Sequence, residues 1–490
     1  MSGVVRLDIR SWRRALRATR GGAVAFVAVI LCVLMIPIPA RSDDATGTPR
    51  SEPGQPSPTK PKGSARPTSA GVASAKSPKL SSGTIPGVSR GEVQAITGNP
   101  GQVNSVTGTG LLGHILDLDR IPGVFLGGAW VADANYLVTG GVKPHVSSFN
   151  SLVLLNMVLD SDKLVGIPGG SLGVQMLQFA GEQTNREAGS FQGFNSLVSN
   201  PPLDRLELFE LWWRQELFDD KLVLRVGKSL PPADFNNVSR PVPTSEFGQQ
   251  ITSVTGLISG TIGKSPTMFG VEPGFYDTAY GITATYAPVR QFYISYGVYD
   301  GSIATGNRTG LDVAPNFIGH YFNVGEAGYA WVLGEDQKPG EIGAGGWVQT
   351  GRVYGGGTSE EGAQGFYMFG SKRMWFQHPG LDPSGVSSFL QFAMTPSKTQ
   401  PTNEFLGAGL TAFGLVHARP DDSMGAGIAW SWLNRRFGLR SNEFMAQLYY
   451  QAPIADGVFL QPALTYIPNP GNSPGIPGAV AFTSRITVLF

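Results

Sequence analysis

Between residues 210 and 228 the chain reads "ELWWRQELFDDKLVLRVGK". Two alternating runs flank Asp219-Asp220, which suits a two-residue hairpin turn. Such a turn predicts Leu217 opposite Leu222, Gln215 opposite Leu224 and Trp213 opposite Val226 on one face. It predicts Glu216 opposite Val223, Arg214 opposite Arg225 and Trp212 opposite Gly227 on the other. Side chains two apart share a face of a strand. One face is therefore almost wholly apolar, with Trp213, Leu217, Leu222 and Leu224 on it. The other carries Glu210, Trp212, Arg214, Glu216 and Arg225.

A soluble sheet packed on a core shows the same alternation. What separates the two cases is repetition. "NEFMAQLYYQ" sets Glu443, Gln447, Tyr449 and Gln451 against Phe444, Leu448 and Tyr450. "GVFLQPALTYI" sets Gln461 and Thr465 against Leu460, Leu464 and Tyr466, and "AWVADANYLV" sets Asp133 and Asn135 against Trp130 and Tyr136. Polar faces recur along the chain, while patterns for helices to cover the apolar faces are missing. Lipid on the outside and closure of the sheet account for both facts. The closing "SRITVLF" fits as well: Ile486, Val488 and Phe490 alternate with Arg485 and Thr487. A terminal strand of this kind is expected to pair with the first one, with Phe490 at the membrane interface.

The chain divides into three parts. Residues 1–40 contain six Arg and one Asp, then the apolar run "GGAVAFVAVILCVLMIPIPA". A basic region, an apolar core and a small residue at the end predict a secretory signal cleaved near Ala40; an N-terminal membrane anchor is the alternative. Cys32 is the one cysteine, and Leu31 before it is too bulky for a lipoprotein signal. Residues 41–106 are rich in Pro, Ser, Thr, Gly and Lys and carry +4. They hold too little apolar surface to offset the entropy of ordering, which predicts a disordered spacer. The remainder, 107–490, carries −8 within a total of +1. It offers no basic footprint for nucleic acid. At roughly 9–11 residues per spanning strand plus connections, it predicts an all-β transmembrane antiparallel barrel of about 16 strands.

Motifs for other chemistry fail on context. "GTGLLG", Gly108 to Gly113, fits a dinucleotide fingerprint, with Asp133 at the right distance, but Pro122 follows and no βαβ unit can be built. "SGTIGKS" lacks the first glycine of a phosphate loop. His114, His145, His320, His378 and His417 lack metal-ligand spacing. Ser388 and His417 could serve an outer-membrane hydrolase, but nothing in the sequence ties them together. No enzyme, cofactor or metal is expected.

Five blocks resemble, in order, the carbohydrate-selective porins of OprB type. They are "VLDSDKLVGIPGG", "WWRQELFDDKLVLRVGKSLPPADF", "GEAGYAWVLGEDQKPGEIGAGGWVQTG", "GLVHARPDDSMGAGIAW" and "YYQAPIADGVFLQPALTYIPNPG". The resemblance implies a 16-stranded outer-membrane barrel that passes monosaccharides such as glucose through a pore lined by Arg, acidic and aromatic side chains. It covers most of 107–490 and leaves 41–106 unmatched. A general or anion-preferring porin is the competing reading. Glu210, Trp212, Arg214, Glu216 and Arg225 are the candidate sugar contacts, since guanidinium groups can fork onto adjacent hydroxyls and an indole offers a face to sugar C–H groups. Expected partners are small sugars, outer-membrane lipid of a Gram-negative cell, the barrel-assembly machinery through the strand ending in Phe490, and, as an alternative to a monomer, a homotrimer.

Overall fold

The computed structural model describes residues 111–197, 204–235, 238, 257–274, 277–334, 336, 338–379 and 384–490. The expected signal at 1–40 and spacer at 41–106 lie outside these residues.

Among the described residues, sixteen strands follow one another along the chain. They are β1 Val124–Thr139, β2 Ser147–Asp160, β3 Gly170–Gly181, β4 Arg205–Leu217, β5 Leu222–Ser229, β6 Ala279–Val289, β7 Phe292–Asp300 and β8 Tyr321–Leu333. Then come β9 Lys338–Gly355, β10 Thr358–Phe376, β11 Gly385–Met394, β12 Thr402–Phe413, β13 Ser423–Leu433, β14 Asn442–Ala455, β15 Val458–Ile467 and β16 Ala479–Leu489. Each pairs antiparallel with its neighbours in sequence, and β1 pairs with β16 to close the barrel. The closing register sets Asp133 opposite Arg485. These two make a bidentate ion pair at 2.7 Å on both arms. Gly128 and Phe490 exchange backbone hydrogen bonds, so pairing continues through Phe490.

The strands bury one face and expose the other. Val226, Ile282, Ile294, Leu390, Leu410, Leu448 and Leu464 are exposed, whereas Asp133, Asn135, Glu443, Gln447, Gln461 and Thr465 are buried. An exposed apolar band running around a closed sheet is the surface that lipid covers. No helix among the described residues is long and apolar enough to cross a membrane.

Connections differ widely in length. Phe218–Lys221 joins β4 to β5, and Asp456-Gly457 joins β14 to β15, whereas 182–204, 230–278 and 301–320 are long. Barrels of this class place short turns in the periplasm and long loops outside the cell.

The inward face is less uniformly polar than the alternation suggests. On β7 to β12 it carries Tyr299, Phe322, Trp347, Tyr367, Phe369, Phe389 and Phe405, all buried in one cluster. Glycines make room for some of these rings: a Cβ on Gly343 would come within 2.3 Å of Phe369, and one on Gly345 within 2.4 Å of Tyr367. The same cluster contains Phe194, Leu257, Ile258, Ile262, Met268 and Val271 from the long loops. The loops thus fold inward and give the aromatic wall a partner. Alternation within strands reports which side faces inward but not what fills it.

Candidate functional site

The β4–β5 hairpin has the expected register: Arg214 opposite Arg225, Trp212 opposite Gly227 and Gln215 opposite Leu224. Its turn takes positive φ at Phe218, Asp219 and Asp220, and Lys221 N–H donates to Phe218 C=O. Positive φ is uncommon for side-chain-bearing residues, although Asp tolerates it. Phe218 is largely exposed at this rim.

Across the other edge of β4 the register slips between Gln175 and Met176, leaving Phe209 as an extra residue. Such a bulge re-aims side chains. It lets Glu207 and Phe209 face inward together with Glu210, Trp212 and Arg214, and all five are buried.

The structure brings the five candidate residues into one cluster. The Trp212 indole N–H donates to Glu210 Oε2 at 2.8 Å. The Arg225 guanidinium lies 5.0 Å over the Trp212 ring, a cation–π contact. Gly173 on β3 covers the ring as well, since a Cβ there would stand 2.3 Å from it. Arg214 pairs with Glu216 at 3.2 Å, and their side chains are 9% and 22% exposed. Trp212, at 1% exposed, and Glu210 form the buried back of the cluster, while Arg214 and Glu216 form its more open edge.

Two guanidinium groups directly opposed across strands repel unless compensated. Glu216 compensates one. The partner of the other is Asp234, which accepts from Arg225 Nη1 at 2.5 Å and from Tyr299 O–H at 3.3 Å. Asp234 sits in the short helical turn Pro231–Asp234 just after β5, and Pro at its start pre-sets the turn. Sequence reasoning passed over it. The signal was an acid nine residues beyond Arg225 inside "SLPPADF", a stretch without alternation to point it inward.

The long loops contribute the rest of the interior. Ser259 N–H donates to Gln447 Oε1 at 3.0 Å, and Gln391 Nε2 donates to Gly263 C=O at 2.6 Å. Segment 257–274, which includes the "SGTIGKS" stretch, therefore lies against the inner wall of β11 to β14. Among the described residues no group of three or more His, Cys, Asp or Glu could hold a metal.

Comparison with known proteins agrees with this architecture. Residues 152–490 match the family described as carbohydrate-selective porin, OprB family. A relative from Pseudomonas aeruginosa, Porin B, is 24% identical over 323 residues, which is 58% of this chain and 68% of that protein. The high-pH structure of Pseudomonas putida OprB superposes with a TM-score of 0.67 at 17% identity, covering 79% of this chain and 100% of that one. The low-pH structure of the same protein gives a TM-score of 0.51 at 16% identity over the same shares. With a closed sixteen-stranded barrel, an exposed apolar band around it and a family match over most of its length, the chain belongs to the carbohydrate-selective porins of the OprB family and forms a carbohydrate channel in the outer membrane of a Gram-negative cell.

Proposed function

We propose that the channel passes neutral monosaccharides, glucose among them, by passive diffusion with no catalytic step, and that the β4–β5 cluster helps to form its constriction. The observation that carries this reading is the pair of opposed guanidinium groups, each held by a carboxylate. Glu210, Glu216 and Asp234 against Arg214 and Arg225 make a formal charge of −1. A cluster so nearly balanced offers many hydrogen-bond donors and acceptors without a strong field for anions. That favours neutral polyhydroxylated solutes over the anion-preferring alternative. Glu216, 22% exposed at the edge of the cluster, would meet sugar hydroxyls with Arg214 held beside it, while Trp212 holds the Arg225 plane in place from behind. Lipid around the exposed band and the assembly machinery at the terminal strand are the further partners this reading includes.

Planar-bilayer recordings of single channels test it. Trp212→Ala is expected to raise conductance and weaken block by glucose. Arg225→Ala is expected to weaken block and, by leaving Asp234 uncompensated, to shift selectivity toward cations. If both variants keep wild-type conductance, sugar block and selectivity, the cluster is not in the conduction path.

A further inference from the structure

Glu443 on β14 is wholly buried. Carboxylates are almost never fully buried unless strongly hydrogen-bonded. Here the partners come from two loops. Oε1 accepts from Ser190 Oγ at 2.7 Å and from Gln192 N–H at 3.0 Å. Oε2 accepts from Phe191 N–H at 2.8 Å and from Gly471 N–H in the β15–β16 loop. The Gln192 side chain then returns to the same strands, donating to Glu443 C=O at 2.9 Å and accepting from Ser431 Oγ at 3.0 Å. Hydrogen bonds to an ionised acceptor are the strong ones, so this carboxylate is a fixed point for segment 190–193.

That segment carries the next one. Ser259 Oγ donates to Gly193 C=O at 2.7 Å, and Ser196 N–H donates to Ile258 C=O at 3.2 Å. Segment 257–274 in turn reaches the site, because Lys264 Nζ donates to Pro232 C=O at 2.9 Å. Pro232 shares a helical turn with Asp234, the partner of Arg225. The linkage thus runs from Glu443 through Ser190–Gly193, Ser259–Lys264 and Pro232–Asp234 to Arg225. It begins on β14 and ends on β5, which stand seven strands apart one way around the barrel and nine the other. It therefore spans the lumen.

We propose that Glu443 is a positioning residue for the arginine pair, acting through this strap of loop segments rather than by touching the solute. The proposal rests on the reading that the arginine pair belongs to the constriction. Glu443→Gln keeps the shape but turns one acceptor oxygen into a donor that faces backbone N–H groups, so it loosens segment 190–193. Asp234 then loses its fixed place, and Arg225 is left partly uncompensated.

The test is a double-mutant cycle on reversal potential in a salt gradient, with open-channel noise recorded alongside. Glu443→Gln is expected to shift selectivity toward anions and to raise noise by about twofold or more, and Asp234→Asn to shift selectivity in the same direction. The double variant is expected to shift no further than Asp234→Asn alone. Lys264→Gln, which cuts the strap at its middle, should reproduce the raised noise of Glu443→Gln, its selectivity being moved the other way by the loss of its own charge. Additive shifts in the cycle, or wild-type noise in Lys264→Gln, would overturn the strap. Amide hydrogen exchange on 257–274 separates this failure from that of the constriction itself. If Asp234→Asn and Arg225→Ala leave conduction untouched, the constriction is wrong. The strap then stands only if Glu443→Gln speeds exchange in 257–274 by about tenfold, and falls if exchange is unchanged.

Discussion

The β4–β5 hairpin and segment 257–274 both contribute to the barrel interior, yet they do so by different physics. In the hairpin, every second side chain turns outward and every other one meets the interior, so the pattern is written locally with a period of two. Segment 257–274 has no such period. Its Ile258 and Ile262 are buried because the inward faces of distant strands supply aromatic rings and bare glycines. At Gly427 an added Cβ would stand 2.7 Å from Ile262 and 2.8 Å from Leu257. The wall is specified by what surrounds the barrel, and the fill by what the wall leaves open.

The largest effect that could break this comparison is on the wall. Leu224 lies opposite Gln215 and Ala284 on the lipid side. Leu224→Arg is expected to destabilise the barrel by about 2–4 kcal/mol if the site lies near the midplane, measured by denaturant titration in lipid vesicles. An unchanged midpoint would mean that this face does not meet hydrocarbon.

A comparable local cost with a smaller global one is expected in the fill. Ile262→Ala removes a wholly buried side chain and should cost segment 257–274 about 2–4 kcal/mol of local stability. Faster amide exchange there, with the barrel's unfolding midpoint shifted by much less, would separate fill from wall. Equal shifts in both would show that they unfold as one unit.

A further effect is expected from pH. Burial pushes the Glu272 carboxyl up to about 8, with Lys264 drawing it partway back. The folded chain therefore holds this proton more tightly than the unfolded chain, whose value is 4.5. The resulting stabilisation is complete below that unfolded value, declines as pH rises toward 8, and is lost above it. Protection factors in 257–274, from which the pH dependence of intrinsic amide exchange has been removed, should fall between about pH 5 and about pH 9, and Glu272→Gln should flatten that fall.

How far the sequence reached differs between the two regions in the same way. Fold class, strand number near sixteen, the hairpin register down to Arg214 opposite Arg225, and the inward set on β1, β14 and β15 were all legible. Each follows from alternation between two unlike surroundings. The bulge at Phe209 was not legible, because an extra residue looks like a lapse in the pattern until its neighbour β3 is known. The aromatic inner wall of β7 to β12 was not legible either, since an aromatic residue suits both lipid and a packed interior.

The sequence by itself determined a closed antiparallel barrel and which side chains turn inward on the regularly alternating strands β1, β5, β14 and β15. A period of two, repeated between turns, can satisfy every backbone group in lipid in only one way. Tertiary structure alone decided that Asp234 compensates Arg225 and that Glu443 gathers the loops at Ser190–Gln192 and Gly471. The Glu443 contact to Ser190 spans 253 positions in the chain. It exists only once closure has joined β1 to β16 and so brought β14 within reach of the β3–β4 loop, and no local pattern can encode which loop a buried carboxylate will meet.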